Sequence, residues 1–474
     1  MDFKSSGSGF PYHAIPWGRT AQGGGLTVTE CIEGLPLGWF HTRLLLIAGL
    51  GGMADGMEIS LLLFIGTCAG EMWNLSTREI AMLCSVVFSG EMVGSLFWGP
   101  LADHWGRRPV SISGLATIST FGMLSSVAPS FVWLAAFQFF VGVGVGSSAI
   151  PFDLFAELLP SPHRGTYLVY LQSFFSIGAA LVVCLAWLVL SAWGWRGLVL
   201  TTSVPVTVSF VLAYLYLPES PRWLQVQHRS EEAKEFIVEA ARVNGSPLGP
   251  YFELRGEGSA MSDCSFCSED EDMGIIQRLC NSDNFWLTIP LWATWFCFGF
   301  GYYGIVVLVV RIYSSNSTAG APVCSFDYGS ILVNSASELL TIVILLASIE
   351  YGRIRTMSGF FFVAAVSVGC TGVHWFSDSA IFYIVLLARI AGTGSNLATW
   401  VATSELFPTD LRATGHAFAT AFLRCGSIMA PFLVESTQIT LFSVGLILSL
   451  VFFCGLGCAL MLPETKGMQL DVVS

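Results

Sequence analysis

Charged side chains are scarce in this sequence. Only 11% of its 474 residues are Asp, Glu, Lys or Arg, whereas a soluble protein carries about 25%. Hydrophobic residues make up 54%. This balance excludes an ordinary soluble domain and favours a membrane protein.

Motifs for nucleotide and metal chemistry are also missing. No GxxxxGK[ST] segment occurs in the sequence, which excludes a pump driven by a P-loop ATPase. Cys264 and Cys267 form a lone CxxC without a second pair at a zinc spacing, so we interpret them as reduced cytosolic thiols. No catalytic triad stands in a loop long enough to fold, and nothing suggests nucleic acid. We therefore expect no enzyme, no cofactor and no metal.

Long apolar runs indicate membrane-spanning helices, each near the ~20 residues that cross a bilayer. Six runs precede a long polar loop and six follow it. The predicted spans are 42–66, 79–101, 109–128, 131–156, 165–190, 197–217, 286–312, 328–349, 357–375, 379–404, 413–434 and 438–462. They predict an all-α membrane protein with twelve transmembrane helices in two related six-helix bundles.

The same segmentation defines the predicted domains. Residues 1–37 are polar and Gly-rich, without the apolar core of a signal peptide, and are expected to form a mobile cytoplasmic tail. Residues 38–217 and 285–462 are the two bundles, and 463–474 form a second cytoplasmic tail. Between the bundles, residues 218–284 form an acidic cytoplasmic linker in which Ser265 and Ser268 are candidate phosphorylation sites.

The basic residues predict an orientation with both termini in the cytoplasm. Sixteen of the 21 Lys and Arg then face the cytoplasm, three face outward and two lie within spans. Asn74 and Asn316 head sequons that fall in outer loops, so both are candidate glycosylation sites. Cys68 and Cys324 are the cysteines expected to reach the outer side. The host membrane stays open between the plasma membrane and an intracellular vesicle membrane.

An internal repeat supports a duplication. FAELLPSPHRGT (155–166) follows the fourth span and TSELFPTDLRATG (403–415) follows the tenth, each with Pro three and Arg seven residues after a Glu. GPLADHWGRRPV (99–110) similarly corresponds to IEYGRIRTM (349–357). The repeated acids and arginines lie at the inner ends of both bundles.

Acids and arginines in these positions can pair across the gap between the bundles when it closes, which predicts a cytoplasmic gate. The alternative is that the arginines only anchor the loops inside. Gly99 and Gly106 are expected to form the tight turn between the second and third spans. The candidate gate residues are Gly99, Asp103, Gly106, Arg107, Arg108, Glu157, Arg164, Gly352, Arg353, Arg389, Glu405 and Arg412.

Two acids lie in the first span, in GGMADGMEISLLLF (51–64). Asp55 lies about 18 Å along the helix from Arg43, near mid-bilayer, and Glu58 is three residues further on the same face. A charge there costs several kcal/mol against lipid, so both should face the bundle interior or a wet cavity.

Other polar and charged residues occur deep in the spans. The candidate substrate-binding or coupling residues are Asp55, Glu58, Glu91, Asp153, Tyr302, Tyr303, Glu338 and Arg424. For the charged ones, the alternative is an internal ion pair that holds helices together. Acids outnumber arginines, which favours a cationic or neutral polar solute, or a cation or proton that moves with it. Arg424 would instead suit a small carboxylate, so both classes stay open.

The motifs together resemble the major facilitator superfamily over nearly the whole chain. GxxxDxxGRR (99–108) is similar to that family's signature, and PESPRWL (218–224) and PETKG (463–467) resemble its sugar-porter branch. The resemblance implies alternating access around one solute site near the midplane, in a protein that works as a monomer in a lipid bilayer.

Finer features resemble the synaptic-vesicle-2-related group, which is similar to nicotinate carriers and organic-cation transporters. They are MADGMEISLL (53–62), GYYGIVVL (301–308) and LRCGSIMAPF (423–432). The expected function is therefore secondary active or facilitative transport of an organic cation or a small carboxylate such as nicotinate. A sugar is the less favoured solute, and H+ is a candidate co-substrate.

The chain departs from this resemblance in the fourth span. Relatives usually have Arg where this chain has Gln138, whereas the tenth-span counterpart, Arg389, is retained. That arginine is often tied to proton coupling, so a proton symporter and a uniporter both stay open. In the second signature only Gly352 and Arg353 are clear, which leaves a transporter-fold receptor or scaffold as the alternative function.

Overall fold

The computed structural model describes residues 26–245, 254, 282–314, 326–371, 377–407, 409–434 and 439–465. Ser265, Ser268, Cys264, Cys267, Asn316 and Cys324 lie outside these ranges. The first half contains α1 (Val28–Gly34), α2 (Trp39–Trp73), α3 (Thr77–Trp105), α4 (Arg107–Ser126), α5 (Phe131–Val145), α6 (Ala149–Glu157) and α7 (Ser161–Tyr216). The polar helices α8 (Pro221–Val226) and α9 (Ser230–Val243) follow. The second half contains α10 (Ser282–Ser314), α11 (Tyr328–Ser348), α12 (Arg353–Cys370), α13 (Asp378–Leu406), α14 (Thr409–Val434) and α15 (Leu441–Ala459).

These helices provide the twelve predicted crossings. Within the described ranges, nine helical stretches are long and apolar enough to cross a membrane by themselves. One of the nine is α7, which holds the fifth and sixth spans in 56 residues, and the more polar α4 and α12 complete the set. The fold class is confirmed, and span ends differ from prediction by a few residues because helices extend beyond the apolar core.

Glycine divides α7 into its two spans. Gly194 has φ 65° and ψ −173°, a conformation outside the helical region that a side chain would strain. The chain reverses there, so two antiparallel helices follow one another almost without a loop. No sequence motif marked this turn in advance.

Helices α3 and α5 touch through their backbones. A Cβ atom on Gly146, at the end of α5, would lie 2.5 Å from the backbone nitrogen of Ser95 in α3. Small residues permit such an approach between spans. The glycine-rich run VGVGVG (141–146), which contains Gly146, therefore serves helix packing, and it fixes α3, the helix that carries Glu91.

The two bundles meet along α3 against α14 and along the first half of α7 against α11. We call the end of the molecule with Gly106 and Gly352 the inner end, and the opposite end the outer end. Gly106 follows α3 with φ 107°, which confirms a turn there. Gly99 lies inside α3, so the expected turn at that residue is wrong: the helix continues past Pro100 to Trp105.

Three short helices cover the inner end of the first bundle. Val28, Cys31 and Ile32 of α1 pack against Ile237 of α9, and all four side chains are buried. The carboxylate of Glu33 accepts a hydrogen bond from the backbone N–H of Ser161 at the start of α7 (3.1 Å). The prediction of a free tail up to residue 37 is therefore wrong for residues 26–37, since this segment is packed and capped.

Candidate functional site

A cavity lies between the bundles near their middle. Helices α2, α6 and α7 line it on one side, and α10, α13 and α14 on the other. Its polar lining consists of Asp55, Ser148, Gln172, Tyr303, Asn396 and Arg424. Its aromatic lining consists of Phe152, Phe175, Phe298, Tyr303 and Trp400. The first span, α2, thus places Asp55, one of the two acids predicted from the sequence, at a cavity between the bundles.

Arg424 is the centre of a charge cluster at this cavity. Its Nε lies 2.6 Å from an oxygen of Glu91, and its Nη2 lies 3.6 Å from an oxygen of Asp55. Its Nη1 donates a hydrogen bond to the hydroxyl of Tyr303 (2.6 Å). All four residues are buried. Because Arg424 belongs to the second bundle and both acids to the first, the cluster joins the bundles at mid-depth.

Asp55 is only partly engaged by this cluster. Among the described residues its Oδ1 has no hydrogen-bond partner, although it is buried at the cavity wall. Burying an unpaired carboxylate oxygen is costly. Asp55 therefore lies at the cavity wall as a carboxylate whose capacity to accept hydrogen bonds is not fully used.

Glu58 and Asp55 do not share a site. Glu58 lines a separate cavity inside the first bundle, together with Gln138, Thr202 and Ser203. Neither the amide oxygen nor the amide nitrogen of Gln138 has a partner in the described part of the chain. The expectation that the two acids act on one face is therefore not met, because residues three apart differ by about 60° around the helix axis.

Glu338, Arg389 and Tyr302 form a second buried cluster, away from the main cavity lining. Arg389 Nη2 lies 2.5 Å from Glu338, and the Tyr302 hydroxyl donates to the same carboxylate oxygen at 3.1 Å. All three belong to the second bundle. Arg389 thus lies in the interior with an acid, and the expectation that it belongs to the cytoplasmic gate is wrong, since it is midway along α13.

The inner end carries the same capping arrangement in both bundles. Glu219, from PESPRWL, accepts the backbone N–H of Arg107 at 2.8 Å, at the start of α4. Glu464, from PETKG, accepts the N–H of Arg353 at 2.6 Å, at the start of α12. Carboxylates at helix N-termini satisfy free N–H groups and the helix dipole. The two motifs thus have matching structural roles.

The glycines before these helices make room for the carboxylates. Gly352 has φ 155°, and a Cβ atom there would lie 2.6 Å from Glu464 Oε2. Gly106 occupies the matching place before α4 and faces Glu219. The glycines of the repeated signature therefore serve capping as well as turning.

The predicted gate acids pair within their own bundles. Glu157 lies 3.8 Å from Arg107 and accepts a hydrogen bond from Ser220 (2.6 Å). In the second bundle Glu405 lies 3.4 Å from Arg353 and accepts from Thr465 (2.8 Å). The expected pairing of these acids across the gap is therefore not what the structure shows, because a nearer arginine follows each turn glycine.

The remaining arginines of the predicted gate are anchored locally. Arg164 donates to the carbonyls of Ala156 and Leu159, and it lies 3.8 Å from Glu33. Arg108 is exposed and donates to the carbonyl of Tyr214. The side chain of Arg412 lies outside the described residues.

Two short contacts do cross the gap at the inner end, and both come from the start of α14. Thr414 donates to Asp103 at 2.9 Å, while Asp103 also lies 3.2 Å from Arg107. His416 Nδ1 lies 2.9 Å from Asp153. Asp153 therefore belongs to the inner closure rather than to the cavity lining. The inner end is closed in this structure.

Burial raises the pKa of the Glu219 carboxyl, and the N–H groups of Ser220, Arg107 and Arg108 oppose that shift.

Reasoning from the sequence did not identify four residues of the inner end, namely Glu219, Glu464, Thr414 and His416. For the two glutamates a signal existed, because they belong to motifs that were noticed as a resemblance. For His416 no signal existed, because its partner is 263 residues away.

Aromatic rings close the outer end. Phe64 of α2 packs edge-on against Phe326, with ring centroids 5.0 Å apart, and Trp187 of α7 stacks on Tyr328 at 6.1 Å. Nearby, Cys68 is disulfide-bonded, and Asn74 is exposed at the end of α2. The central cavity is thus closed at both ends, and glycosylation at Asn74 stays a prediction.

Known proteins share this architecture. The family model described as Major Facilitator Superfamily matches residues 44–431. Synaptic vesicle 2-related protein of Bos taurus is 31% identical over 470 residues, covering 94% of this chain and 82% of that protein. Organic cation/carnitine transporter 7 of Arabidopsis thaliana is 28% identical over 487 residues, covering 94% and 95%. The proton:xylose symporter XylE, solved bound to 6-bromo-6-deoxy-D-glucose, superposes with TM-score 0.70 at 20% identity, covering 91% of this chain and 98% of that one.

Proposed function

Because the chain belongs to the major facilitator superfamily, we propose that it carries a small organic cation across the membrane by alternating access. The family is one of transporters and not of enzymes, and this chain is a multi-pass membrane protein of its synaptic-vesicle-2-related and organic-cation-transporter type. The solute, the coupling and the direction are the parts that we propose.

The observation that carries the choice of a cation is the pairing of the two arginines within the spans. Arg424 is held by Glu91 and Arg389 by Glu338, at 2.6 and 2.5 Å. A carboxylate solute would have to displace one of these acids and leave it buried without a partner, which costs about 3–5 kcal/mol. Asp55, by contrast, already has a carboxylate oxygen free at the cavity wall.

The aromatic lining supports the same choice. A cation within about 6 Å of a ring centroid is attracted to the ring face, most strongly when water is excluded. Phe152, Phe175, Phe298 and Trp400 surround the space next to Asp55. A hexose would need many more hydrogen-bonding groups than Gln172 and the few other polar side chains provide.

A bound cation would also loosen the link between the bundles. Asp55 and Arg424 attract one another across the bundle interface. A cationic solute at Asp55 competes with Arg424, so binding weakens one of the contacts that hold the halves together. This gives the solute a differential effect on the closed and open states, as alternating access requires.

The remaining features of the proposal follow the sequence. We place both termini in the cytoplasm, so that the inner end faces the cytosol, and we propose a monomer with glycosylation at Asn74. Both a plasma membrane and a vesicle membrane are compatible with this orientation.

Uptake into proteoliposomes tests the function. The purified full-length chain is reconstituted and given labelled tetraethylammonium, choline, nicotinate or xylose, with and without a pH gradient. We expect saturable uptake of the cations, loss of that uptake in Asp55→Asn, and little change in Glu58→Gln, the matched control that faces the other cavity.

Other outcomes would contradict the proposal in distinct ways. Uptake of nicotinate in place of the cations would refute the cation assignment while keeping the transporter. Saturable binding of a cation without any uptake would instead indicate the receptor or scaffold alternative.

A further inference from the structure

We propose that His416 and Asp153 form a proton-binding pair whose closure seals the cytoplasmic gate, so that one proton is taken up on closing and released on opening. The inference rests on the alternating access proposed above and adds a ligand, the proton, at a pair that does not line the solute cavity but lies behind two of its rings, Phe152 and Trp400. It is carried by position, burial and the surrounding charges.

The pair spans the two bundles. His416 is in the second turn of α14 in the second bundle, and Asp153 is in α6 of the first. Their contact, His416 Nδ1 to Asp153 Oδ1, measures 2.9 Å. Both side chains are buried, with 0% and 5% exposure. The contact can exist only while the inner ends of the bundles are together.

Aromatic rings exclude water from the imidazole. The ring centroids of Trp400, Trp295 and Phe152 lie 4.7, 5.5 and 5.9 Å from that of His416. Within the described ranges His416 Nε2 has no hydrogen-bond partner. The polar anchor of the imidazole is therefore Asp153, and its other neighbours stabilise a cation rather than an anion.

The other charged groups around this site have partners of their own. On α3, Asp103 is held by Thr414 and Arg107; on α6, Glu157 is held by Arg107 and Ser220. On α13, Glu405 is held by Arg353 and Thr465. Helix α10 has no charged residue from 284 to 310, and Arg424, eight residues further along α14, is held by Glu91.

Elementary electrostatics gives the direction of the coupling. With a neutral imidazole, the closed gate would bury the Asp153 carboxylate without a cationic partner among the described side chains, which costs several kcal/mol. One proton on His416 turns the contact into an ion pair. When the gate opens, both side chains meet cytosolic water, which solvates the Asp153 carboxylate without a cation on His416, so the proton is released.

Acid conditions should therefore favour the closed inner gate. If one proton separates the two states, the ratio of open to closed molecules changes by about tenfold per pH unit within the titration range. Because the proton is exchanged with the cytosol in both steps, the pair makes the gate respond to cytosolic pH and does not by itself carry a proton across the membrane.

Spin-label distances test this without any solute. His104 and Tyr351 are exposed at the inner ends of opposite bundles, so His104→Cys and Tyr351→Cys carry nitroxides in a cysteine-depleted full-length chain in lipid nanodiscs. Distances are measured by pulsed EPR from pH 5.5 to 8.5. The series is repeated in an Asp103→Ala background, which removes the hydrogen bond from Thr414 across the gap and should raise the open fraction.

We expect the open fraction to rise with pH in both backgrounds, with Asp103→Ala shifting the balance at every pH but keeping the slope. His416→Gln and Asp153→Asn should each flatten the slope, the second while keeping a hydrogen bond to the imidazole. A wild-type slope in His416→Gln, or no pH response in either background, would overturn the inference. A pH-dependent gate in a chain that takes up no labelled cation would refute the proposed function but would still support the proton-binding pair.

Discussion

Removing Arg424 should destabilise the whole molecule. In Arg424→Met an unbranched apolar side chain is kept and the guanidinium is lost, so Glu91 and Asp55 are left buried without their cation. Breaking one buried ion pair in this way costs about 3–5 kcal/mol, and protonation of the acids limits the cost to that range. The measurement is equilibrium unfolding in mixed SDS and dodecylmaltoside micelles, followed by tryptophan fluorescence.

A double-mutant cycle isolates the pair. Adding Glu91→Gln removes the acid that needs the cation, so Arg424→Met with Glu91→Gln should cost less than the sum of the single changes by about 1–3 kcal/mol. Combining Arg424→Met with Glu338→Gln, the acid of the other cluster, should be additive within about 0.5 kcal/mol and serves as the control. If Arg424→Met keeps wild-type stability, or if the cycle with Glu91 is additive, the assigned ion pair is wrong.

Three further predictions concern the inner end. Burial raises the pKa of the Glu219 carboxyl above its ordinary 4.5, so near that pH the folded state binds more protons than the unfolded state. The free energy of unfolding should therefore fall as pH rises above 4.5. Glu219→Gln should make that fall shallower, and an unchanged pH profile in the variant would contradict this prediction. Gly352→Ala forces a Cβ into φ 155° beside Glu464 and should cost about 1–3 kcal/mol in the same unfolding assay, whereas Gly359→Ala, in open space within α12, should be neutral or stabilising. Burial, and secondarily Glu30, raises the pKa of Cys31 to about 12, so N-ethylmaleimide should leave this thiol unmodified at pH 7 until the chain unfolds; rapid labelling of native protein, seen by mass spectrometry, would show that α1 is not packed.

Hydropathy was enough to predict the spans, because a bilayer demands about twenty apolar residues whatever their partners are. Local geometry was also accessible where one residue decides it, as at Gly106. Gly99 shows the limit of that reasoning, since a glycine in the same motif remains helical. A glycine permits a turn but does not impose one.

The partners of the buried charges were not accessible in the same way. Helical spacing puts Asp55 and Glu58 on nearby faces, yet the neighbouring helices separate them into two cavities. Glu91 finds its cation in Arg424, 333 residues later. Such pairings depend on which helices pack together and at what depth in the membrane the charges lie. The residue pattern within a single span indicates neither.

The pairing of Glu91 with a late helix has a consequence for how the protein is made. The second bundle neutralises its buried acid internally, through Arg389, whereas the first bundle borrows Arg424 from a helix that is synthesised near the end of the chain. During biosynthesis the first six spans therefore enter the membrane before Arg424 is available to pair with Glu91 and Asp55, and the pairing forms only after α14 has been synthesised. Residues 1–217 expressed alone should be degraded rapidly and rescued by co-expression of residues 218–474, and the rescue should fail when the second fragment carries Arg424→Met.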